Sequence, residues 1–132
     1  MEAAKEFYSN VIGCEEGRSN SNWQDFSLHG HQIVAHWVGE DYRCVDYHNP
    51  VDGDEVPVPH FGLALTVEEF HALAKRVEAA GVEFIIKPHL RFPGMPGEQY
   101  CMFFKDQSGN SKCQAVGQGK STKLAHVGYI II

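Results

Sequence analysis

Two short motifs that share one residue pattern are the features of this sequence best suited to chemistry. Residues 60–65 read His-Phe-Gly-Leu-Ala-Leu and residues 126–131 read His-Val-Gly-Tyr-Ile-Ile. Because side chains alternate between the two faces of a β-strand, His60 shares its face with Gly62 and Ala64. A histidine beside two small residues suits a cleft, and imidazole is the commonest metal ligand in proteins. The pair of motifs indicates either a divalent-metal site or two ordinary histidines at strand surfaces.

The second motif stands at an unexpected place in the order of predicted elements. Residues 60–81 join the first motif to an amphipathic helix, whose start is marked by the capping-box pair Thr66 and Glu69. Residues 2–12 have the apolar spacing of a helix but no strand before them, whereas residues 126–131 form a strand pattern with no helix after it. Placing the C-terminus before the N-terminus gives the same strand-helix order twice. The sequence therefore predicts a fold built from two copies of one unit.

The remaining segments complete each predicted unit with three strands. Alternation and β-branched residues predict the strands, and segment 39–58, rich in Asp, Gly, Pro and Asn, is predicted to be a long connecting loop. We predict an α+β fold of two βαβββ units in one domain. The single domain spans residues 1–132. Within it, the first unit is residues 2–40 and lacks its opening strand, the second unit is residues 56–117, and the displaced strand is residues 124–132.

Composition bounds the partners more than the chemistry. The 132 residues carry a formal net charge of −6, which argues against nucleic acid or an anionic membrane as the main partner. No apolar run approaches the roughly 18 residues of a membrane span, and no signal peptide is visible. The four cysteines lack C-x-x-C spacing, so a reduced, cytoplasmic protein is expected.

Five further motifs, in this order, identify a family resemblance. They are Phe7-Tyr8-x-x-Val11-Ile12-Gly13, Gly30-His31-Gln32, Val56-Pro57-Val58-Pro59-His60-Phe61-Gly62, Gly97-Glu98-Gln99 and Asp106-Gln107-Ser108-Gly109-Asn110. The sequence resembles the vicinal oxygen chelate superfamily, which includes glyoxalases, extradiol dioxygenases, fosfomycin-resistance transferases and bleomycin-resistance proteins. The resemblance covers residues 3–116 and the C-terminal segment. It implies two sheets paired into a curved cup, with a divalent metal on the concave face.

The resemblance also implies which residues would bind that metal. His60 and His126 occupy the ligand positions of the opening strands, and His36 is the nearest candidate for a fourth ligand. Cys113 stands where the family usually has Glu, so it is either a thiolate ligand or a small buried strand residue. A site with Cys113 would favour Zn²⁺ over iron, because two-His-one-carboxylate iron sites need a harder ligand. The cofactor expected is therefore a divalent metal, or none.

Four other residues are candidates for contact with a substrate. Glu98 is either a general acid or base or the ion-pair partner of Arg91, and Arg91 is alternatively a clamp for an anionic substrate. Tyr100 lies at the start of a strand beside the expected cup, and Trp37 either lines an apolar pocket or belongs to the core. Five histidines have no chemical role assigned: His29, His31, His48, His71 and His89.

Two functions from different classes follow. The first is metal-assisted chemistry on a small substrate with two vicinal oxygens, as in a lyase or dioxygenase, where the metal stabilises an enolate or oxyanion as a Lewis acid. The alternative is a non-catalytic binding protein of the bleomycin-resistance type, which holds a flat ligand between subunits. Members of this superfamily commonly form dimers, so the resemblance also implies a homodimer that binds a small molecule.

Overall fold

The computed structural model describes residues 1–117 and residues 130 and 131, and it has the predicted α+β class with two mixed four-stranded sheets. Helix α1 (Glu2–Lys5) continues as a π-helical segment (Glu6–Ile12), and the second helix is α2 (Val67–Ala79). The strands are β1 (Glu15–Ser19), β2 (Trp23–Leu28), β3 (His31–His36), β4 (Tyr47–Val51), β5 (Asp54–Val58), β6 (His60–Ala64), β7 (Phe84–Arg91), β8 (Gln99–Lys105), β9 (Ser111–Gly117) and β10 (Ile130–Ile131). Among the described residues, no helix is long and apolar enough to cross a membrane.

The second sheet has the strand order β6-β9-β8-β7, with β6 parallel to β9 and the other pairs antiparallel. Helix α2 follows β6 and begins at the predicted capping box. Thr66 Oγ1 accepts a hydrogen bond from the Glu69 backbone N–H (3.2 Å), and a Glu69 carboxylate oxygen accepts one from the Thr66 N–H (2.8 Å). These bonds satisfy N–H groups that the first helical turn leaves without partners, so the start of α2 is fixed at Thr66.

The first sheet has the strand order β1-β2-β3-β10. Strands β1, β2 and β3 are antiparallel, whereas β10 runs parallel to β3 and pairs Ile130 with Ala35 and Ile131 with His36. The pair β10–β3 thus has the same relation as β6–β9 in the second sheet. The other residues of the predicted displaced strand, 124–129 and 132, lie outside the described part.

The predicted long loop at 39–58 is wrong over its second half, where β4 and β5 form a hairpin that is a separate two-stranded sheet. Asp52 (φ 54°) and Gly53 (φ 84°) form its turn, and both adopt the left-handed conformation that an Asp-Gly hairpin turn requires. Pro50 and Pro57 obscure the strand signal, because proline lacks the N–H that strand ladders use.

One hydrophobic core includes aromatic side chains from both sheets and from the π-helical segment. The Tyr8 ring lies 5.2 Å from the Phe26 ring of β2, and the Phe7 ring lies 6.3 Å from the Phe104 ring of β8. Arg76 of α2 completes the joint by donating hydrogen bonds to the carbonyl groups of Val11 (3.1 Å) and Ile12 (3.0 Å). These carbonyls end the π-helical segment and have no partner within it, so the arginine satisfies them.

A buried polar network lies beside this aromatic core. The Tyr8 hydroxyl donates to Asp106 Oδ2 (2.7 Å), and Lys112 Nζ lies 3.2 Å from the same oxygen. Lys112 also donates to the Asn110 carbonyl (3.1 Å) and lies 4.5 Å from the centre of the Phe61 ring. Burial lowers the Lys112 pKa to about 8, and burial followed by the Asp106 charge raises the Tyr8 pKa well above its ordinary value.

Removing the Tyr8 hydroxyl should weaken the joint between the sheets. We expect Tyr8→Phe to lower the free energy of unfolding by about 1–3 kcal/mol, because Asp106 loses a donor inside the protein. Tyr47→Phe is the matched control, since Tyr47 is 61% exposed and its substitution should change stability by less than about 0.5 kcal/mol. Urea unfolding followed by circular dichroism measures both variants. Equal stability losses would contradict the role given to the Tyr8–Asp106 bond.

Candidate functional site

His60 opens strand β6 with its side chain exposed, and its ring is held in one orientation. Nδ1 lies 2.7 Å from the Pro57 carbonyl oxygen, and because a carbonyl only accepts, Nδ1 carries the proton. The Phe103 ring packs against the imidazole in a T-shaped arrangement, with the ring centres 5.1 Å apart. Nε2 is therefore the nitrogen with a lone pair, available to a metal ion or a proton.

The ladder between β6, β9 and β8 relates His60 to Cys113. His60 pairs with Ser111, Gly62 pairs with Cys113, and Cys113 pairs with Phe103 on β8. Paired positions lie on the same face of a sheet, and so do positions two residues apart along a strand. Position 113 therefore belongs to the same face of the second sheet as His60.

The other two predicted metal ligands are not brought to His60 by the described contacts. His36 is exposed at the end of β3, in the first sheet, where its ladder partners are Trp23 and Ile131. His126 lies outside the described residues. Within the described part, no group of three or more His, Cys, Asp or Glu side chains is close enough to hold a metal ion. The assignment of all four ligands stays a prediction.

Arg91 is buried and its guanidinium contacts the β4–β5 hairpin. Nη2 donates to the Val51 carbonyl (2.8 Å), Nε lies 3.4 Å from Asp54 Oδ2, and the guanidinium carbon lies 5.1 Å from the centre of the Phe92 ring. The alternative pairing with Glu98 is not observed, because a Glu98 carboxylate oxygen instead accepts from the Gly94 N–H (2.6 Å). Arg91 thus fastens the hairpin, and Glu98 closes the loop that follows β7.

Tyr100 and Trp37 lie apart from each other and from His60. Tyr100 packs against helix α2, with its ring centre 5.9 Å from that of Phe70 and 5.3 Å from that of His71. It therefore occupies the helix side of the second sheet, opposite the face that bears His60. Trp37 is 44% exposed and lines an open cleft of about 630 Å³ with Tyr42 and Lys105.

The residues through which the hairpin covers the His60-bearing face were not predicted from the sequence. Val56 of β5 is buried in one cluster with Ile86, Cys101 and Phe103. Next to the hairpin turn, Asp54 Oδ2 lies 3.3 Å from Nε2 of His89. No chemical role was predicted for this histidine. The Asp-Gly turn signal at residues 52 and 53 was the one clue in the sequence.

Comparisons with known proteins agree with this architecture. The chain matches the family model described as Glyoxalase/Bleomycin resistance protein/Dioxygenase superfamily over residues 1–112, whereas no curated protein sequence matches it. A glyoxalase/bleomycin resistance protein/dioxygenase from Alicyclobacillus acidocaldarius is 23% identical with a TM-score of 0.71, and the alignment covers 90% of this chain and 84% of that one.

Fosfomycin resistance protein FosX from Listeria monocytogenes is also similar, with 20% identity, a TM-score of 0.65 and coverage of 89% of this chain and 84% of that one. A further FosX structure from the same organism, complexed with Mn(II) and a sulfate ion, is 20% identical with a TM-score of 0.63 and coverage of 89% and 81%. These identities establish similarity of fold, and the family model establishes membership. The chain belongs to the Glyoxalase/Bleomycin resistance protein/Dioxygenase superfamily.

Proposed function

We propose that this protein performs metal-assisted chemistry on a small substrate that carries two vicinal oxygens. The observation that carries the proposal is the orientation of His60, whose Nδ1–H donates to the Pro57 carbonyl and leaves Nε2 for a metal. A hydrogen bond from the second ring nitrogen to a carbonyl is the usual support of a metal-binding histidine. The FosX relative that was crystallised with Mn(II) is consistent with this proposal.

The proposed ligands are His60, Cys113 and His126, with His36 as a candidate fourth. Position 113 lies on the His60-bearing face in the strand ladder, which supports its inclusion. One thiolate and two imidazoles suit Zn²⁺ better than iron, and such a site leaves a position open for substrate. When bound, the metal would act as a Lewis acid that stabilises negative charge developing on a substrate oxygen.

The remaining candidates are proposed to transfer a proton or to contact the substrate. Glu98 is proposed as the general acid or base, and its carboxylate would have to exchange the Gly94 N–H for a substrate proton. Arg91, Tyr100 and Trp37 are kept as proposed substrate contacts. Their present contacts place them against the hairpin, against helix α2 and in a separate cleft, respectively.

A second candidate function is a non-catalytic binding protein of the bleomycin-resistance type. The observation that favours it is Cys113, which replaces the carboxylate expected at the last ligand position. Phe103 packs against the His60 ring, so the surroundings of His60 are partly apolar, which suits a flat ligand. We propose a homodimer in either case. We also propose a cytoplasmic location, which is consistent with the free thiols of Cys14, Cys44 and Cys101.

We further propose that residues 124–132 supply the opening strand of the first βαβββ unit, so that the two units complete a curved cup within one domain. The parallel pairing of β10 with β3 supports this proposal, because β6 pairs with β9 in the same way. Two arrangements satisfy it: the strand returns within its own chain, or it is exchanged with the partner of a homodimer.

Metal binding should require both strand-opening histidines. We expect the purified protein to bind about one Zn²⁺ or Mn²⁺ per chain, and His60→Ala and His126→Ala each to weaken binding at least about 100-fold, since loss of an outer-sphere partner alone costs 10–100-fold. Isothermal titration and elemental analysis measure this. His29→Asn, at an exposed turn, is the control and should bind as the wild type does.

The same titration separates the two candidate functions. Cys113→Ser should weaken Zn²⁺ binding strongly if the thiolate is a ligand, and leave it unchanged if it is not. Unaltered metal affinity in His60→Ala would refute the metal site. A wild-type protein that binds no metal but retains a flat aromatic ligand would support the second candidate function.

Deleting residues 121–132 should destabilise the protein, because β3 would become an unpaired edge. We expect the melting temperature to fall by about 5 °C or more, which corresponds to a loss of about 1 kcal/mol in a chain of this size. A full-length control carries a Gly/Ser segment in place of residues 121–132. If the truncated chain melts at the wild-type temperature, the opening-strand proposal fails.

Light scattering of the same proteins tests the homodimer. We expect the full chain to have the mass of two chains at tens of micromolar. A swapped strand predicts that the truncated chain is monomeric, whereas an intrachain strand predicts that truncation leaves the dimer intact. A monomeric full-length protein would contradict the homodimer.

A further inference from the structure

An open cleft of about 630 Å³ lies between the segment that leaves β3 and the turn that joins β8 to β9. This volume is within the range of small-molecule sites, about 300–1,000 Å³. We call it the linker cleft, because the segment after β3 connects the two four-stranded sheets. Among the described residues, neither His60 nor His36 lines it. Its lining includes Trp37, Glu40, Tyr42, Arg43, Asp46 and Lys105.

Contacts between the two walls hold the linker cleft open without a ligand. Lys105 Nζ donates a hydrogen bond to Asp46 Oδ1 (2.6 Å), and Cys44 Sγ lies 3.7 Å from Asn110 Oδ1. Gly109 permits the close approach of Cys44, since a Cβ at position 109 would lie 3.3 Å from the Cys44 Cβ. The cleft is therefore formed in advance, so a ligand would not have to order its walls.

Trp37 gives the linker cleft an aromatic wall. Its side chain is 44% exposed, and its backbone N–H donates to the Asn22 carbonyl (2.7 Å), which fixes the chain just after β3. Tyr42 lines the same cleft. An indole on a concave surface offers a flat apolar face on which another ring can stack. This wall therefore favours a flat aromatic ligand.

Arg43 gives the cleft a positive charge whose hydrogen-bonding capacity is only partly used. Nη1 donates to the carbonyl groups of Glu40 (2.8 Å) and Tyr42 (2.7 Å), so one corner of the guanidinium is held by its own loop. Within the described part of the chain, no carboxylate lies at ion-pair distance from Arg43. Nε and Nη2 form the opposite edge of the group, and such an edge can donate two parallel hydrogen bonds to one carboxylate.

The other charged groups of the cleft leave this edge as its anion-binding element. Lys105 is compensated by Asp46, and the hydrogen bond from Lys105 lowers the Asp46 pKa, so both members of the pair stay ionised. Glu40 is exposed, and water and salt screen its negative charge. A carboxylate on the ligand therefore gains more from two short hydrogen bonds to Arg43 than it loses to Glu40.

We propose that the linker cleft is a second small-molecule site, which binds a flat aromatic carboxylate with its ring on Trp37 and its carboxylate on Arg43. The proposal goes beyond the proposed function, because binding here requires neither a metal nor His60. It gives Trp37 a role different from the substrate contact predicted from the sequence.

The two tryptophans of the chain allow the site to be located directly. Each indole N–H gives one signal in a ¹H–¹⁵N correlation spectrum, and Trp23→Phe identifies which signal belongs to Trp37. The protein is titrated with 1-naphthoate, and separately with the uncharged 1-naphthamide, in the presence of EDTA. EDTA removes any divalent metal, so the titration reports binding that does not depend on the proposed metal site.

We expect 1-naphthoate to shift the Trp37 signal with a Kd of about 1 mM or tighter, and 1-naphthamide to bind at least about tenfold more weakly. Arg43→Gln should weaken naphthoate binding to a similar extent, because hydrogen bonds between two charged groups are lost. Glu40→Gln should strengthen binding about two- to threefold, since a like charge is removed at an exposed position.

Two variants are controls. Arg18 lies 5.9 Å from the Trp23 ring and pairs with Asp25, so Arg18→Gln removes a cation beside the other tryptophan and should leave naphthoate binding unchanged. His60→Ala should also bind as the wild type does. Equal affinity for the acid and the amide, unaltered binding in Arg43→Gln, or loss of binding in His60→Ala would each overturn the proposal.

Discussion

The hydrogen bond from Tyr8 to the buried Asp106 carboxylate is the interaction on which the rest of the architecture depends. It joins the helix beside the first sheet to the turn between β8 and β9 of the second sheet. The carboxylate also accepts from the backbone N–H groups of Ser108 (3.0 Å) and Asn110 (2.9 Å), so the turn itself is built around it. Because the charge is extensively hydrogen-bonded, its burial is compatible with a stable core.

The same network fixes the register of β9 and thereby the composition of the His60-bearing face. Lys112 points into the core, where its ammonium group reaches Asp106 and the Phe61 ring. A slip of one residue would move every side chain of a strand to the opposite face. An inward position 112 therefore assigns position 113 to the face shared with His60. A structural ion pair on one side of the sheet therefore determines which positions of β9 lie on the other side.

Sequence patterns predicted the elements whose local signals agree with their environment. The capping box of α2, the β6 strand and the order of the strands after α2 were all readable, because short-range periodicity and turn residues dictate them. The π-helical segment could not be predicted from the sequence, since its apolar spacing also fits an α-helix. The burial of Lys112 could not be predicted either, because a lysine in a strand is expected to be exposed unless its partner Asp106 is known.

The site shows the same division between local and long-range information. Strand parity placed His60 on the face opposite the one that packs under helix α2, and applying parity to β8 would have placed Tyr100 on the helix side, opposite Cys101 and Phe103. The partner of Arg91 was beyond reach, because the Val51 carbonyl lies 40 residues away in a hairpin that the composition concealed. Contacts between distant segments carry no signal in either sequence segment alone.

The independence of the β4–β5 hairpin also makes it an exchangeable part. Among the described residues, the hairpin pairs with neither four-stranded sheet, so it can gain residues, lose residues or be replaced without moving the register of their strands. Its C-terminal end leads directly into strand β6, since Val58 is two residues from His60. Changes confined to this one insertion would therefore reshape the surroundings of His60 while the framework stays constant. That is a direct route by which evolution or protein engineering can alter ligand preference on this scaffold.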